Sequence, residues 1–188
     1  MAPHSHLTKQ NGEEFVRKIK VMKIFAKTLP ILGLIAVFAV SALSQTTLTA
    51  IDGRRIDLAG QDGKVVIVAV GTSWLPLSTK QAEFANILAK KYSGKNVAMY
   101  FLMTDSTDPK SKNHASNDTL AKFATDNKLT MPILRDPDGA ATFKKFGIDQ
   151  VPSFLILGKD GEKVQIFGGI NPKMDITVPI SKTVDGLL

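Results

Sequence analysis

The chain has 188 residues, 44% hydrophobic and 22% charged, which excludes a disordered or fibrous protein and suffices for a domain that buries its core without disulfide or metal staples. It contains no cysteine, so no residue can serve as a thiolate, close a disulfide or carry a cysteine-linked lipid. Its net charge of +7 would fit nucleic acid only if the basic residues lined the folded body, and they do not. Residues 1–44 carry Lys9, Arg17, Lys18, Lys20, Lys23 and Lys27 against Glu13 and Glu14, whereas the remainder is close to balanced and has no basic run with interleaved aromatics. Nucleic acid is therefore not an expected partner.

The first 44 residues read as a targeting segment. Lys18, Lys20, Lys23 and Lys27 precede an apolar run from Leu29 to Leu43, interrupted at Pro30, Gly33 and Ser41. Its length matches a secretory h-region and falls short of the ~20 residues that cross a bilayer comfortably. Small residues at Ala42 and Ser44 before Gln45 suit signal peptidase, and Met22-Lys23 offers an alternative start. The segment is either a cleaved signal peptide or an uncleaved anchor at residues 29–43. Both place residues 45–188 outside the cytoplasm, periplasmic or otherwise extracytoplasmic, with membrane contact only through the N-terminal segment if it is retained. That compartment permits disulfides, so the missing cysteines mark a choice of chemistry.

Thr47–Leu58 predicts a hairpin turning at Asp52-Gly53. Val65–Val70 is an unalternating β-branched run, the pattern of a strand buried on both faces. A helix is expected from about Leu77 to Tyr92, with Phe84, Ile87, Leu88 and Tyr92 on its inner face, Lys90 and Lys91 near its C-terminus and Gly94 ending it. Val97–Met103 is a second buried strand. A polar loop, Thr104–Ser116, leads to a helix from Asn117 or Asp118 with Leu120 and Phe123 inward. Met131–Leu134 reads as a short strand and Ala140–Phe146 as a short helix stopped by Gly147. Ser153–Leu157 and Lys163–Phe167 form a hairpin about Gly158-Lys159-Asp160-Gly161. Asn171-Pro172 reads as the N-cap and first residue of a closing helix. The sum is an α/β fold: a central mixed β-sheet flanked by helices, with an N-terminal β-hairpin extension.

Five segments in this order carry a resemblance: Leu48–Arg54, Gly63–Val70, Thr72–Ser78, Leu129–Gly139 and Phe146–Gly161. From Thr47 to Gly168 the chain resembles the exported bacterial thioredoxin-like proteins, the TlpA/ResA-type thiol-disulfide oxidoreductases that grade into the AhpC/TSA peroxiredoxins. The resemblance implies a thioredoxin-like fold whose redox turn, Trp-Cys-x-x-Cys, lies between the first central strand and its helix. Here Trp74 is kept, Leu75 occupies the first cysteine position, Pro76 and Leu77 lie between, and Ser78 occupies the second. In the peroxiredoxin alignment Leu75 again replaces the reactive cysteine. The catalytic set implied by the family is therefore absent. Val151-Pro152 matches the family's cis bond, beside a groove that pairs with extended peptide. Only ~5% of X-Pro bonds in folded proteins are cis, so this expectation comes from the resemblance.

The functional expectation is an extracytoplasmic protein- or peptide-binding module without redox chemistry. Its contact candidates are Trp74, Leu75, Pro76, Leu77, Ser78, Val151 and Pro152, and neither cofactor nor metal is expected. Apolar residues at a turn that is normally exposed mark a contact site; against this, the same residues persist as scaffold after the chemistry was lost. Two alternatives belong to other classes. One is a family member that carries the oxidoreductase or antioxidant description by similarity alone. The other is an enzyme with non-thiol chemistry built on Ser78, His114 or an aspartate of the Asp105–Asp118 loop. Asp136-Pro137-Asp138-Gly139 lacks the spaced carboxylates of a calcium loop and reads as a turn, and Arg135 reads as structural. Pro179 is expected to break or kink the closing helix.

Overall fold

A computed structural model of the protein describes residues 46–188; the targeting segment, residues 1–44 with its apolar run 29–43, lies outside them. The sheet begins with the expected hairpin, β1 (Thr47–Ala50) and β2 (Arg55–Asp57). β3 (Val65–Gly71) follows, and every residue of it is buried. It is flanked by β4 (Val97–Met103) in parallel and by β6 (Ser153–Leu157) in antiparallel pairing. β5 (Ile133–Arg135) runs parallel to β4, and β1 pairs antiparallel with β5. β7 (Lys163–Gly168) closes the far edge, so the order is β2-β1-β5-β4-β3-β6-β7. The result is the expected mixed sheet, widened at one edge by the hairpin.

Strand alternation divides the core. Val65, Ile67 and Ala69 face α1 (Pro76–Lys91), α2 (Asn117–Asp126) and α4 (Thr177–Asp185). Val66, Val68 and Val70 face Leu58 and the short α3 (Phe143–Phe146), with Phe146 and Ile148. Unalternating β-branched sequence in β3 is thus explained by apolar cover on both sides. Truncating Phe101 or Phe154, both fully buried, costs about 3–5 kcal/mol on the usual scale for core aromatics.

Five expectations need correction. The inward stripe of α1 is Ser78, Gln81, Ala82, Phe84, Ala85 and Leu88. At 100° per residue this stripe leaves Ile87 off to the side, and it is 52% exposed. The strand expected at Met131–Leu134 lies at Ile133–Arg135, the part that reaches pairing register with Phe101–Met103. The helix expected from Ala140 is confined to Phe143–Phe146, behind a 3-10 turn at Pro137–Gly139. Asp136 sets that delay: its carboxylate accepts from Ala141 N–H (2.9 Å), Thr142 N–H (2.9 Å) and the Thr142 hydroxyl (2.6 Å). Gly147 ends α3 as expected, at φ 69°, a conformation that glycine adopts without steric cost.

The closing helix also starts later than expected. Asn171 closes a separate tight turn, accepting Lys173 N–H on its side chain and Met174 N–H on its carbonyl. α4 begins at Thr177, whose N–H and hydroxyl are bound by Asp175 at 2.9 and 2.6 Å. Pro179 is then the third helical residue. The first-turn N–H groups have no partner inside a helix, so proline costs nothing there and α4 runs on to Asp185.

Candidate functional site

β3 and β6 are neighbours, with Val70 opposite Ser153. The segment leaving β3 (Thr72–Leu75) and the segment entering β6 (Gln150–Pro152) therefore meet at one end of the sheet, and α1 springs from the first of them. This geometry brings the sequence-derived candidates together in two neighbouring groups. The Val151–Pro152 peptide bond is cis.

The β3–α1 segment is held from a distance. Thr104 N–H donates to Gly71 O at 2.9 Å, and the Asp105 carboxylate accepts Ser73 N–H on both oxygens at 3.0 Å and the Ser73 hydroxyl at 2.6 Å. Leu75 is the N-cap of α1, with φ −77° and ψ 132°, and gives no side-chain cap. An aliphatic chain cannot accept from the free N–H groups of the first turn, whereas Ser, Thr, Asp or Asn would. Pro76 fills the first helical position, where a missing N–H is harmless. Trp74 is 52% and Leu77 37% exposed, Pro76 is exposed and Leu75 half-buried.

Ser78 departs from its expected role as a contact residue. It lies on the inward stripe of α1, 0% exposed, and its hydroxyl has no hydrogen-bond partner among the described residues. A docked peptide would not touch it. Thr72 Oγ1, Gln81 Oε1 and Ser153 Oγ are likewise buried without partners. A buried polar group left so costs about 1–3 kcal/mol, and here four gather at one end of the sheet.

Gln81 is a residue that sequence reasoning missed. Its amide nitrogen donates to Ser153 O at 2.7 Å and to Val70 O at 3.1 Å, joining α1 to the ends of β3 and β6. Gly71 makes room for it: a Cβ there would stand 2.4 Å from Gln81 Oε1. The only sequence signal was a glutamine three residues after Ser78, on the face that should be apolar. Asp105 was visible merely as one of several acids in a polar loop; it is fully buried.

On the other side, Pro152 is buried and Val151 half-buried. Among the described residues the backbone N–H and C=O of Val151 have no hydrogen-bond partner, so the chain just before β6 keeps a donor and an acceptor for an added strand.

The non-thiol catalytic set does not assemble. His114 is exposed on the far loop, where its N–H donates to Ser111 O, and neither it nor Asp105 bonds to Ser78, whose hydroxyl is alone. Arg135 is structural, donating to Asn117 Oδ1 at 2.9 Å and Asp105 O at 3.2 Å. The described residues hold no group of three His, Cys, Asp or Glu able to bind a metal ion, and none of their helices is long and apolar enough to cross a membrane.

Comparison with known proteins agrees with this architecture. Residues 38–184 match the Redoxin family. The thiol-disulfide oxidoreductase ResA of Bacillus thuringiensis subsp. konkukian is 27% identical over 135 residues, 72% of each chain. The protein of the same name from Bacillus anthracis is 29% identical over 122 residues, 64% of this chain and 65% of that one. Among solved structures, a secreted Mycobacterium tuberculosis disulfide oxidoreductase homologous to E. coli DsbE has a TM-score of 0.60 at 21% identity, over 76% of this chain and 96% of that one. A thioredoxin-like protein from Aeropyrum pernix reaches 0.61 at 18%, over 82% and 99%. At these identities the structural likeness establishes the fold, which is thioredoxin-like.

Proposed function

Because this chain belongs to the Redoxin family yet has no cysteine, we propose that its thioredoxin-fold domain is a non-catalytic binding module for an extended segment of an extracytoplasmic protein. One observation carries the reading: an exposed tryptophan stands on a pinned loop at the same end of the sheet as the unpaired backbone of Val151. Trp74, Leu75, Pro76 and Leu77 supply apolar contact area, and Val151, set by Pro152, supplies strand-like pairing. Trp74 is the anchor, a residue type enriched among those that dominate binding energy. Export is part of the same proposal; it is supported by the basic-then-apolar N-terminal segment and by the secreted relative from M. tuberculosis. The family description by itself does not supply a reaction here, since thiol-disulfide exchange begins with attack by a thiolate.

The test is capture from the source organism's extracytoplasmic extract, with Trp74→Ala as the paired bait. A stoichiometric partner lost with Trp74→Ala is expected. A synthetic peptide spanning the captured segment should bind, and N-methylation of its pairing amides should abolish binding. Equal capture by both baits, or indifference to N-methylation, would overturn the proposal. An insulin-reduction assay should show no turnover above the protein-free blank.

A further inference from the structure

Asp105 is fully buried at the end of β4, and none of the ion pairs among the described residues involves it. A buried carboxylate without a cation is held by hydrogen bonds to its charged form. Three come from one residue, Ser73: its N–H reaches both oxygens at 3.0 Å and its hydroxyl one oxygen at 2.6 Å. Asp105 is itself fixed from behind, since Arg135 Nη2 donates to its carbonyl at 3.2 Å while Nη1 holds Asn117 at the start of α2.

Ser73 immediately precedes Trp74, and Pro76 follows two residues later with its φ set by the ring. Leu75 O accepts Ser78 N–H at 3.0 Å, closing the first turn of α1. Trp74 is thus suspended between a pinned amide and a rigid helix start, although half of it stands in solvent. We infer that Asp105 is a positioning residue: by locking Ser73 it holds Trp74 out as a pre-set contact. It lies 31 positions downstream of the side chain it presents, in a loop whose middle residues are mostly exposed. The role of Trp74 as a contact rests on the proposed binding function, but its mechanical coupling to Asp105 does not.

Trp74 is the only tryptophan in the chain, so its fluorescence reports this loop without interference. The experiment uses the full chain and its Asp105→Ala and Asp105→Asn variants, read by acrylamide quenching and steady-state anisotropy, with far-UV circular dichroism as the folding control. In folded Asp105→Ala the quenching constant should rise roughly twofold and the anisotropy fall, as the loop gains nanosecond motion. Asp105→Asn, which keeps one acceptor, should fall between that variant and the parent. Parent-like quenching and anisotropy in folded Asp105→Ala would overturn the inference. Should that variant lose its far-UV signal, Asp105→Asn decides by the same criterion. No partner is present in this measurement, so the latch can fail while Trp74-dependent capture succeeds, and capture can fail while the latch stands.

Discussion

Two loops leave the same end of the sheet and enter helices, and they are built in opposite ways. The loop after β5 is braced mainly from within: Asp136, its first residue, satisfies Ala141 and Thr142 five and six positions on, and one outside tie is Asp138 N–H to Thr104 O at 3.0 Å. The loop after β3 has no such residue. Its N-cap is Leu75, its tryptophan is exposed, and the carboxylate that holds it arrives from 32 residues away. A loop braced mainly by its own first residue ties those hydrogen bonds to the stability of the fold. One that is fastened from outside, with its apolar side chains left bare, keeps a surface available for something else.

The sharpest contrast should come from breaking the internally braced loop. Asp136→Ala orphans the buried N–H and hydroxyl of Thr142 and the part-buried N–H of Ala141, and should cost about 3 kcal/mol, read as a lowered urea midpoint with unchanged slope. Trp74→Ala in the other loop should leave the urea midpoint near the parent value, yet weaken the captured peptide by about 2 kcal/mol, roughly 30-fold, in a calorimetric titration. If Trp74→Ala instead destabilises the fold as much as Asp136→Ala, the two loops are alike and the comparison collapses. Leu75→Asp gives the second loop the cap it lacks. Thermal melting should show about 1 kcal/mol of added stability, with peptide binding lost, a gain in one property at the expense of the other.

The smallest effect belongs to a control site far from both loops. Hydrogen bonds from Lys91 and then Tyr92 hold the Asp185 carboxyl below its ordinary range. A carboxylate depressed in the folded state contributes stability above its unfolded value of ~3.9, and that contribution disappears as the pH falls through the folded value. Thermal midpoints recorded from neutral pH downward should show a weak acid-side decline that Asp185→Asn flattens, with no change in Trp74 emission.

What could be read in the sequence follows from what is local. The buried run Val65–Val70, the Asp52-Gly53 turn and the stop at Gly147 are properties of a few adjacent residues, and the structure has them where expected. Trp74, Leu75 and Val151-Pro152 could be picked out as candidates because they occupy marked positions in a known pattern. Ser78 was visible but misjudged, since its burial depends on which side of α1 meets the sheet. Gln81 and Asp105 were not legible as site residues. Their meaning lies in partners 72 and 32 positions away, and neither side chain is unusual in its own neighbourhood. The late start of α4 was lost for a related reason: Asn171 and Asp175 both offer a capping side chain, and only packing decides which one opens the helix.

The Gln81 amide reaches across from α1 to the last residues of one strand and the first of another, both lining the same end of the sheet. Such a rivet ties the Trp74 side of the sheet end to the Val151 side. Under the proposed binding function, a guest arriving on either half would find the other already in register, so the disorder surrendered on docking would be almost wholly the guest's own.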